Sequence, residues 1–292
     1  MPPFHSGFVA IIGRPNVGKS SFLNYVLAEK LSIISAKAQT TRNRILGILN
    51  TPGSQVVFLD TPGIHTPHKE LNRIMVEKAS ACLNDADLVL VMADATQASA
   101  EFGAVTEYLH QAGKPAILAL NKIDLIPQNA MQSKLDEHLQ GFPFLHGIGI
   151  SCTTGAGIDT LMSLITAQLP EGPRFFPEDQ LTDLSERFLS AEIIREKVFN
   201  LTQQEIPYAV AVEIEQFKEG DPTYINAVIH VERAGQKAIV IGKKGAMLKE
   251  IGTQARLDIQ RLIGTRVFLE LFVRVTKDWT KNPHELKRLG YN

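Results

Sequence analysis

Two glycines, a lysine and a serine near the N-terminus stand at a spacing that suits phosphate binding. Residues 13–20, GRPNVGKS, match the pattern G-x-x-x-x-G-K-[ST]. They follow an apolar run and open a segment of helical periodicity, residues 19–27, which is the context that the motif requires. In such a loop, backbone N–H groups wrap around phosphates at a helix N-terminus. The residues expected to line the nucleotide here are Gly13, Asn16, Val17, Gly18, Lys19, Ser20 and Ser21.

Two further polar segments supply candidates for the metal and for the γ-phosphate. Asp60 and Gly63 follow a buried strand, residues 56–59. The Asp60 carboxylate can hold Mg²⁺ together with the Ser20 hydroxyl, while the N–H of Gly63 senses the γ-phosphate, since only glycine permits that approach. The polar loop at residues 39–42 offers a threonine that closes on Mg²⁺ when the γ-phosphate is present. Thr41 is favoured, and Thr40 is the alternative.

The segment Asn121-Lys122-Ile123-Asp124 follows another buried strand and predicts recognition of a base. A carboxylate at Asp124 can accept hydrogen bonds from guanine N1–H and the 2-amino group together. Adenine has neither donor, so it would leave that carboxylate unpaired. Asn121 would brace the loop, and the stem of Lys122 would pack against the base. Ser151 and Cys152 would offer backbone contacts to the guanine edge.

A second motif, GKKG at residues 242–245, predicts a nucleic-acid site. The apolar run 238–241 indicates a strand before it, and a helix is expected near residues 246–262. Loops of the form G-x-x-G clamp a nucleic-acid backbone, because glycines admit phosphates and lysines add charge. Residues 233–292 carry 13 basic and 5 acidic side chains, net +8, although the whole chain is at −1. The expected RNA contacts are Ile241, Gly242, Lys243, Lys244, Gly245, Ala246 and Leu248.

Trp279 and three arginines, Arg256, Arg261 and Arg274, have two interpretations each. The arginines contact phosphates or form a solvated surface. Trp279 packs in a core, the favoured interpretation, or stacks on a base. Cys82 is expected to pack on a helix face.

The pair His65 and His68 could suggest a metal site. A mobile switch loop is the favoured interpretation, because a proline stands between them and a third ligand cluster is missing nearby.

The elements that position these residues fall into two groups. Strands and helices alternate through residue 168, which predicts a mostly parallel sheet with helices on both faces, its ligands beyond the carboxyl ends of the strands. The segment Leu-Pro-Glu-Gly-Pro then breaks the pattern. A helix near 185–200 and an antiparallel strand pair follow it. The predicted organisation is a nucleotide-binding domain over residues 1–172, a linker over 173–183 and a smaller α+β RNA-binding domain over 184–292.

Composition excludes several classes of protein. The chain has 292 residues, and its two cysteines cannot make a disulfide framework or a four-ligand zinc site. Its apolar runs fall short of the ~18–20 residues of a membrane-spanning helix. The N-terminus lacks the basic region of a signal peptide. We therefore expect a cytoplasmic protein.

Taken together, the motifs resemble those of the translation-factor-related GTPases. Over nearly its whole length the chain resembles the Era family of bacterial ribosome-assembly GTPases, which carry a C-terminal type II KH domain. The resemblance implies a P-loop GTPase fold, GTP, GDP and Mg²⁺ as ligands, and slow hydrolysis. It implies the single-stranded 3′ end of 16S ribosomal RNA and the 30S particle as partners, and a monomer. Peripheral association with the inner membrane face is left open.

Two departures and one cation bear on the hydrolysis that the resemblance implies. Cys152 stands where the family usually has alanine, and Ile64 stands where Ras-like proteins place a water-orienting glutamine. Lys19, Thr41 and Gly63 are the residues expected to serve hydrolysis. We expect weak intrinsic activity, raised by a partner or by K⁺. Asn16 is the candidate potassium ligand, and the alternative is that it only braces the loop.

The main prediction is a molecular switch in which GTP binding and RNA binding are coupled reciprocally. One rival is another GTPase whose C-terminal module binds a different RNA or a protein. A second rival is a constitutive RNA-binding protein with a vestigial nucleotide domain.

Overall fold

The computed structural model describes residues 3–35, 37, 40–63, 70–203 and 206–291. Gln39, Ile64, His65 and His68 lie outside the described residues, so the predictions made on them are not addressed by the structure. The chain divides into two compact units. The first holds most of the chain up to residue 183. The second starts at residue 184 and also includes described residues within 33–40 and 68–74.

The first unit is built on a six-stranded sheet. Its strands are β1 (His5–Gly13), β2 (Ile45–Asn50), β3 (Ser54–Asp60), β4 (Leu88–Asp94), β5 (Ala116–Asn121) and β6 (His146–Gly149). Their order is β2-β3-β1-β4-β5-β6, and all neighbours are parallel except β2 and β3. The mostly parallel sheet is confirmed. The antiparallel edge strand β2 was not predicted.

Helices cover both faces of this sheet. The helices of the unit are α1 (Lys19–Leu27), α2 (Glu70–Asp85), α3 (Gly103–Ala112), α4 (Met131–Leu139) and α5 (Ile158–Gln168), of which α2 belongs to this unit from Met75 onward. Phe58 of β3 meets Phe22 of α1 edge to face, with ring centroids 5.6 Å apart. Its neighbours Val57 and Leu59 belong to the core cluster of Cys82 on α2. Because successive strand residues point to opposite faces, α1 and α2 lie on opposite sides of the sheet.

Cys82 is a packing residue, as predicted. It is buried in that cluster, and burial raises the pKa of its thiol to about 11. The thiol is therefore neutral at ordinary pH and is not a nucleophile.

Residues 173–183, predicted to be a linker, are bonded to the strands β2 and β3 of the first unit. The backbone N–H groups of Phe175 and Phe176 donate to Gln55 Oε1 at 2.7 and 3.0 Å. Ile48 N donates to Leu181 O at 2.8 Å, and the Thr182 hydroxyl donates to Leu46 O at 2.6 Å. This segment therefore covers part of an edge strand whose backbone groups would otherwise face solvent.

From residue 184 onward, the described part of the second unit combines a three-stranded sheet with four α-helices. Its elements are α6 (Glu186–Leu201), β7 (Ala211–Lys218), β8 (Thr223–Val231), α7 (Ala234–Ile241), α8 (Ala246–Ile263), β9 (Val267–Val275) and α9 (Pro283–Arg288). The sheet order is β7-β8-β9, with β7 and β8 antiparallel, as predicted, and β8 and β9 parallel. Alternate residues of β8 pack against apolar residues of α6, α7 and α8 in one core.

The prediction of a strand at residues 238–241 is wrong. These residues form the last turn of α7, so the G-x-x-G loop joins two helices. A short apolar run cannot be told from a buried helix segment by periodicity alone. Here the helix begins earlier, at Ala234, where the side chain of Gln236 accepts hydrogen bonds from the N–H groups of Glu232 and Arg233 at 2.9 and 3.0 Å. The run then continues that helix, with Val240 buried and Ile239 49% exposed.

Trp279 is a core residue, which settles its two interpretations. Its side chain is fully buried, and its ring N–H donates to Ala209 O at 3.0 Å. The ring also stacks on Tyr291 with centroids 5.6 Å apart. The ring stacking and the hydrogen bond of the indole are thus both made inside the second unit. None of the helices in the described ranges is sufficiently long and apolar to span a bilayer.

Candidate functional site

The predicted nucleotide residues meet at one edge of the first sheet. β1 ends at Gly13, β3 at Asp60 and β5 at Asn121, and all three strands run in the same direction. The carboxyl ends of parallel strands share one edge, where α/β proteins bind ligands. The topology therefore brings together segments that are more than 100 positions apart in sequence.

Residues 13–18 form a tight loop that depends on its glycines. Gly13 and Gly18 have φ values of 153° and 103°, which side chains rarely adopt. A Cβ on Gly18 would lie 2.2 Å from Asn121 Nδ2, and one on Gly13 would lie 2.3 Å from Met92 O. The backbone is therefore packed closely on its surroundings while it turns into α1. Such a loop at the N-terminus of a helix is a cradle that fits phosphates.

Lys19 lies buried beneath this loop. Its Nζ donates to Gly13 O at 3.2 Å and to Arg14 O at 2.9 Å. Burial lowers the pKa of Lys19 to about 8, although the nearby Asp60 carboxylate opposes the shift. A cation whose charge is disfavoured by burial gains from an anion held in the same loop. The position and electrostatics of Lys19 therefore fit a phosphate group.

Three hydroxyl groups converge on one carboxylate oxygen at the end of β3. Ser20 Oγ donates to Asp60 Oδ2 at 2.8 Å and Ser32 Oγ donates at 3.0 Å. Thr41 Oγ1 lies 2.8 Å from Ser20 Oγ and 3.5 Å from Asp60 Oδ2. Burial raises the pKa of Asp60, opposed by Lys19 and by the hydroxyls.

The other oxygen of that carboxylate, Asp60 Oδ1, is buried and accepts no hydrogen bond from the residues that the structure describes. Hydroxyl and carboxylate oxygens are the ligands that Mg²⁺ takes in proteins. The structure therefore brings together the three predicted metal ligands, Ser20, Thr41 and Asp60. Asp60 Oδ1 still has lone pairs available for a metal ion, and the set fits Mg²⁺. Of the two candidate threonines, Thr41 has its hydroxyl in this cluster.

Ser32 is part of this cluster and was missed by sequence reasoning. It lies in the loop after α1 and matches no motif. Asn24 holds that loop, accepting hydrogen bonds from Leu31 N and Ser32 N at 3.0 and 2.9 Å. Only the folded loop brings this hydroxyl to Asp60.

Gly63 approaches the phosphate loop very closely. A Cβ at this position would lie 2.7 Å from Pro15 N and 2.9 Å from Pro15 Cα. Because these are backbone or near-backbone atoms, a side chain could be admitted only by moving one of the two loops. The close approach is what a residue that senses a bound phosphate requires.

Asn121 ties the phosphate loop to the loop after β6. Its Nδ2 donates to Val17 O at 2.8 Å, and its Oδ1 accepts from Cys152 N at 3.1 Å. Ser151 is buried, and its hydroxyl accepts hydrogen bonds from Thr153 N and Thr154 N. Burial raises the pKa of the Cys152 thiol to about 12, so this side chain stays neutral while its backbone takes part in the loop.

Lys122 and Asp124 flank the turn that follows Asn121. Lys122 has φ 67°, and its Nζ pairs with Asp94 Oδ2 at 2.6 Å. Burial alone would raise the pKa of Asp94, but hydrogen bonds from Lys122 and Thr96 outweigh it and lower the pKa. Asp94, at the end of β4, was not predicted, although a polar residue after a buried strand was a signal for it. Asp124 is exposed, so its carboxylate is accessible to a ligand.

The second unit presents the G-x-x-G loop between α7 and α8. Gly242, Lys244 and Gly245 have φ values of 73°, 53° and 80°. A Cβ on Gly242 would lie 2.7 Å from Met247 Cβ, whereas one on Gly245 would meet nothing within 4 Å. Lys243 and Lys244 are exposed at the N-terminus of α8. Two exposed cations at the N-terminus of an 18-residue helix make a site that attracts phosphates.

The remaining residues predicted to contact RNA lie beside this loop, whereas the three arginines are occupied on the surface. Ile241 and Leu248 are partly buried against the core of the unit, and Ala246 is exposed. Arg261 pairs with Asp258 at 3.0 Å, and Arg274 pairs with Glu215 at 3.1 Å. Arg256 donates to Gln260 at 3.1 Å.

Two family models match the two units. Residues 8–122 match the model described as 50S ribosome-binding GTPase. Residues 205–280 match the model described as KH domain. The first match includes the phosphate loop and Asn121, and the second includes the G-x-x-G loop with its flanking helices.

Full-length relatives match nearly the whole chain. The GTPase Era of Geobacter metallireducens is 52% identical, with 99% of this chain and 98% of the relative covered. A crystal structure of Era with MgGDPNP and nucleotides 1506–1542 of 16S ribosomal RNA is 43% identical, covers 99% of both chains and has a TM-score of 0.94. A variant of Aquifex aeolicus Era bound to GDP and AlF4⁻ is 43% identical, with 99% of both chains covered and a TM-score of 0.95.

Proposed function

The chain belongs to the Era family of GTPases, and from that premise we propose that it is a GTP-hydrolysing switch that binds the 3′ end of 16S ribosomal RNA and assists maturation of the 30S subunit. One observation carries the proposal. The same chain combines a complete set of nucleotide residues at one sheet edge with a G-x-x-G loop between two helices. This combination favours an RNA-linked GTPase over either of its rivals.

The phosphates of GTP lie in the loop at residues 13–20. Lys19 neutralises the β- and γ-phosphates, and Ser20, Thr41 and Asp60 hold Mg²⁺. When bound, Mg²⁺ neutralises the charge that develops on the oxygen between the β- and γ-phosphorus atoms. The N–H of Gly63 donates a hydrogen bond to the γ-phosphate. Lys19, Thr41 and Gly63 therefore distinguish GTP from GDP and serve hydrolysis.

Guanine specificity comes from the loops after β5 and β6. Asp124 accepts two hydrogen bonds from guanine, the stem of Lys122 covers the base, and Ser151 and Cys152 line its edge. Intrinsic hydrolysis is slow and is raised by a partner or by K⁺ held at Asn16, whose φ of 65° shapes the loop. Bracing of the loop alone is the alternative role of Asn16.

The second unit binds single-stranded RNA at the G-x-x-G loop. Lys243 and Lys244 contact phosphates, and bases lie along Ile241, Ala246 and Leu248. We assign residues 1–172 to the GTPase domain, 173–183 to a segment packed on it, and 184–292 to the KH domain. GTP and RNA binding are coupled reciprocally. The protein acts in the cytoplasm as a monomer on the 30S particle, and peripheral membrane contact stays a prediction.

Hydrolysis of two nucleotides tests the nucleotide half of this proposal. The wild type should hydrolyse GTP in the presence of Mg²⁺ and should ignore XTP. Asp124→Asn should reverse that preference, because an amide donates to the xanthine oxygen where a carboxylate cannot. Asp136→Asn, which changes an exposed carboxylate on α4, is the matched control and should behave as wild type. An unchanged preference in Asp124→Asn would refute the assignment of the base site.

Binding of an RNA that spans nucleotides 1506–1542 tests the other half. Lys243→Ala with Lys244→Ala should weaken binding by about tenfold or more. The slope of the logarithm of the binding constant against the logarithm of the salt concentration should become less steep by about 1.4, because two phosphate contacts contribute ~0.7 each. Lys277→Ala with Lys281→Ala removes the same charge from the same basic segment and is the matched control. Equal losses in both pairs would show a diffuse charge effect and would argue against a clamp at the loop.

A further inference from the structure

A buried arginine of α6 holds the backbone of the residue before Thr41. Arg195 Nη2 donates to Thr40 O at 2.5 Å. Lys37, three positions before Thr40, donates from its Nζ to the carbonyls of Phe199 and Thr202 at the C-terminal end of α6. The segment that ends at Thr40 is thus anchored twice on one helix of the second unit. It was predicted only as a polar loop that carries a threonine.

The guanidinium of Arg195 is fixed in place by its own surroundings. Its side chain is 1% exposed, and Glu192 accepts from Nε at 2.7 Å and from Nη2 at 2.5 Å. The guanidinium carbon Cζ of Arg195 lies 5.2 Å from the centre of the Phe199 ring. A two-pronged carboxylate pair and a stacked ring leave the fork little rotational freedom. The hydrogen bond to Thr40 O therefore has a well-defined direction.

That hydrogen bond constrains Thr41 because the two residues share a peptide plane. The carbonyl of Thr40 and the N–H of Thr41 belong to one planar peptide unit. A hydrogen bond that holds the Thr40 oxygen therefore also restrains the orientation of the peptide bond between Thr40 and Thr41. Thr41 Oγ1 in turn lies 2.8 Å from Ser20 Oγ. The position of the hydroxyl at the Asp60 cluster depends on that backbone.

We propose that Arg195 is a positioning residue for GTP hydrolysis: it holds the peptide between Thr40 and Thr41 so that the Thr41 hydroxyl stays at the Mg²⁺ site, and Lys37 is the second anchor. This inference rests on the proposed function, in which Thr41 is a Mg²⁺ ligand. It goes beyond that function, because the positioning residue lies on the first helix of the RNA-binding unit.

A contribution to folding stability does not by itself explain an arginine at position 195. Arg195 Nη1 is buried and has no acceptor among the residues that the structure describes. A buried donor without a partner costs free energy, and well-packed apolar residues often replace buried ion pairs without loss of stability. An arginine also serves better than a lysine here, since the planar fork reaches Glu192 and Thr40 together, whereas a lysine would keep the charge without that geometry.

The test compares four variants in single-turnover GTP hydrolysis over a range of Mg²⁺ concentrations. Arg195→Gln should lower the rate by about 10- to 100-fold and raise the half-saturating Mg²⁺ concentration several-fold, as loss of a group that orients a metal ligand does. Lys37→Met should act in the same direction, by about threefold, because Arg195 still holds Thr40. Arg195→Lys should recover part of the rate. Affinity for GDP and for the RNA should stay within about twofold of wild type in all of them.

Lys197→Gln is the matched control. It lies on the same helix, and the ion pairs of Lys197 among the described residues are with Glu196 and Asp258. If it raises the half-saturating Mg²⁺ concentration as much as Arg195→Gln does, the effect is a general loosening of α6 and the inference is overturned. A rate and a Mg²⁺ dependence within about twofold of wild type in Arg195→Gln overturn it too.

Three further outcomes are also decisive. If Arg195→Gln does not fold, Lys37→Met decides, because it removes a partly exposed side chain, and an unchanged Mg²⁺ dependence there overturns the inference. A wild type that does not hydrolyse GTP with Mg²⁺ refutes the proposed function, and this inference with it. A wild type that hydrolyses normally beside unaffected variants refutes the inference alone.

Discussion

Replacing Asn121 with alanine should weaken GTP and GDP binding equally. The side chain is 2% exposed and makes two hydrogen bonds, one to Val17 O in the phosphate loop and one from Cys152 N in the loop after β6. Alanine leaves both backbone groups buried without a partner. Each loss costs about 1–2 kcal/mol, so the two together cost about 2–4 kcal/mol. If the bound nucleotide must hold both loops in place, affinity falls by about 30- to 1,000-fold.

Titration of fluorescent GDP and of a non-hydrolysable GTP analogue measures this effect. The loss should be the same for both nucleotides, because neither hydrogen bond of Asn121 involves Lys19, Thr41 or Gly63, the residues assigned to the γ-phosphate. Asn129→Ala, at an exposed position in the next turn, is the matched control and should bind normally. An affinity of Asn121→Ala within about threefold of wild type would refute the role of the brace. A selective loss of GTP binding would refute the assignment of Asn121 to the base side of the site.

Three further predictions concern Gly63, His230 and Trp279. Gly63→Ala should lower the affinity for GTP at least about tenfold and leave the affinity for GDP unchanged. The reason is that a Cβ would lie 2.7 Å from Pro15 N and would displace the Gly63 backbone. Equal losses of GTP and GDP affinity in a competition assay would contradict this. Burial lowers the pKa of His230, although Glu213 opposes the shift, so the unfolded chain binds the extra proton. Unfolding free energy from urea titrations should therefore fall as pH drops below about 6.5, and His230→Gln should remove that part of the pH dependence; identical profiles would contradict it. Trp279→Phe should lower the free energy of unfolding by about 1–3 kcal/mol, because it leaves the buried carbonyl of Ala209 unpaired, and it should leave RNA affinity unchanged. Weaker RNA binding with unchanged stability would favour base stacking instead.

The nucleotide site could be predicted because its residues lie at the ends of strands. Once the alternation of strands and helices indicates a parallel sheet, Gly13, Asp60 and Asn121 must share one edge, whatever their distance in sequence. The local motifs then assign each segment a part of the ligand. Ser32 was missed because it belongs to no motif and only the folded loop brings it to Asp60. Asp94 also belongs to no motif, although its place at the end of the buried strand β4 was a signal for it.

The wrong strand at residues 238–241 and the unforeseen packing of residues 173–183 have a different cause. Residues 238–241 have the composition of a strand, but a hydrogen bond from Arg233 N to the side chain of Gln236 starts a helix that runs through them. Four apolar residues are too few for their periodicity to decide between strand and helix. The packing of residues 173–183 on β2 was not foreseen either, because proline and glycine predict where a helix stops and not what the chain contacts afterwards.

The most direct test of the coupled switch is GTP hydrolysis with Mg²⁺ and K⁺, measured with and without RNA. An oligonucleotide that spans nucleotides 1506–1542 of 16S ribosomal RNA should stimulate hydrolysis, and a scrambled RNA of the same length should not. The stimulation should be lost in Lys243→Ala with Lys244→Ala, whose basal rate should match that of the wild type. Equal rates with the specific RNA, with the scrambled RNA and without RNA would contradict the coupling of the two sites.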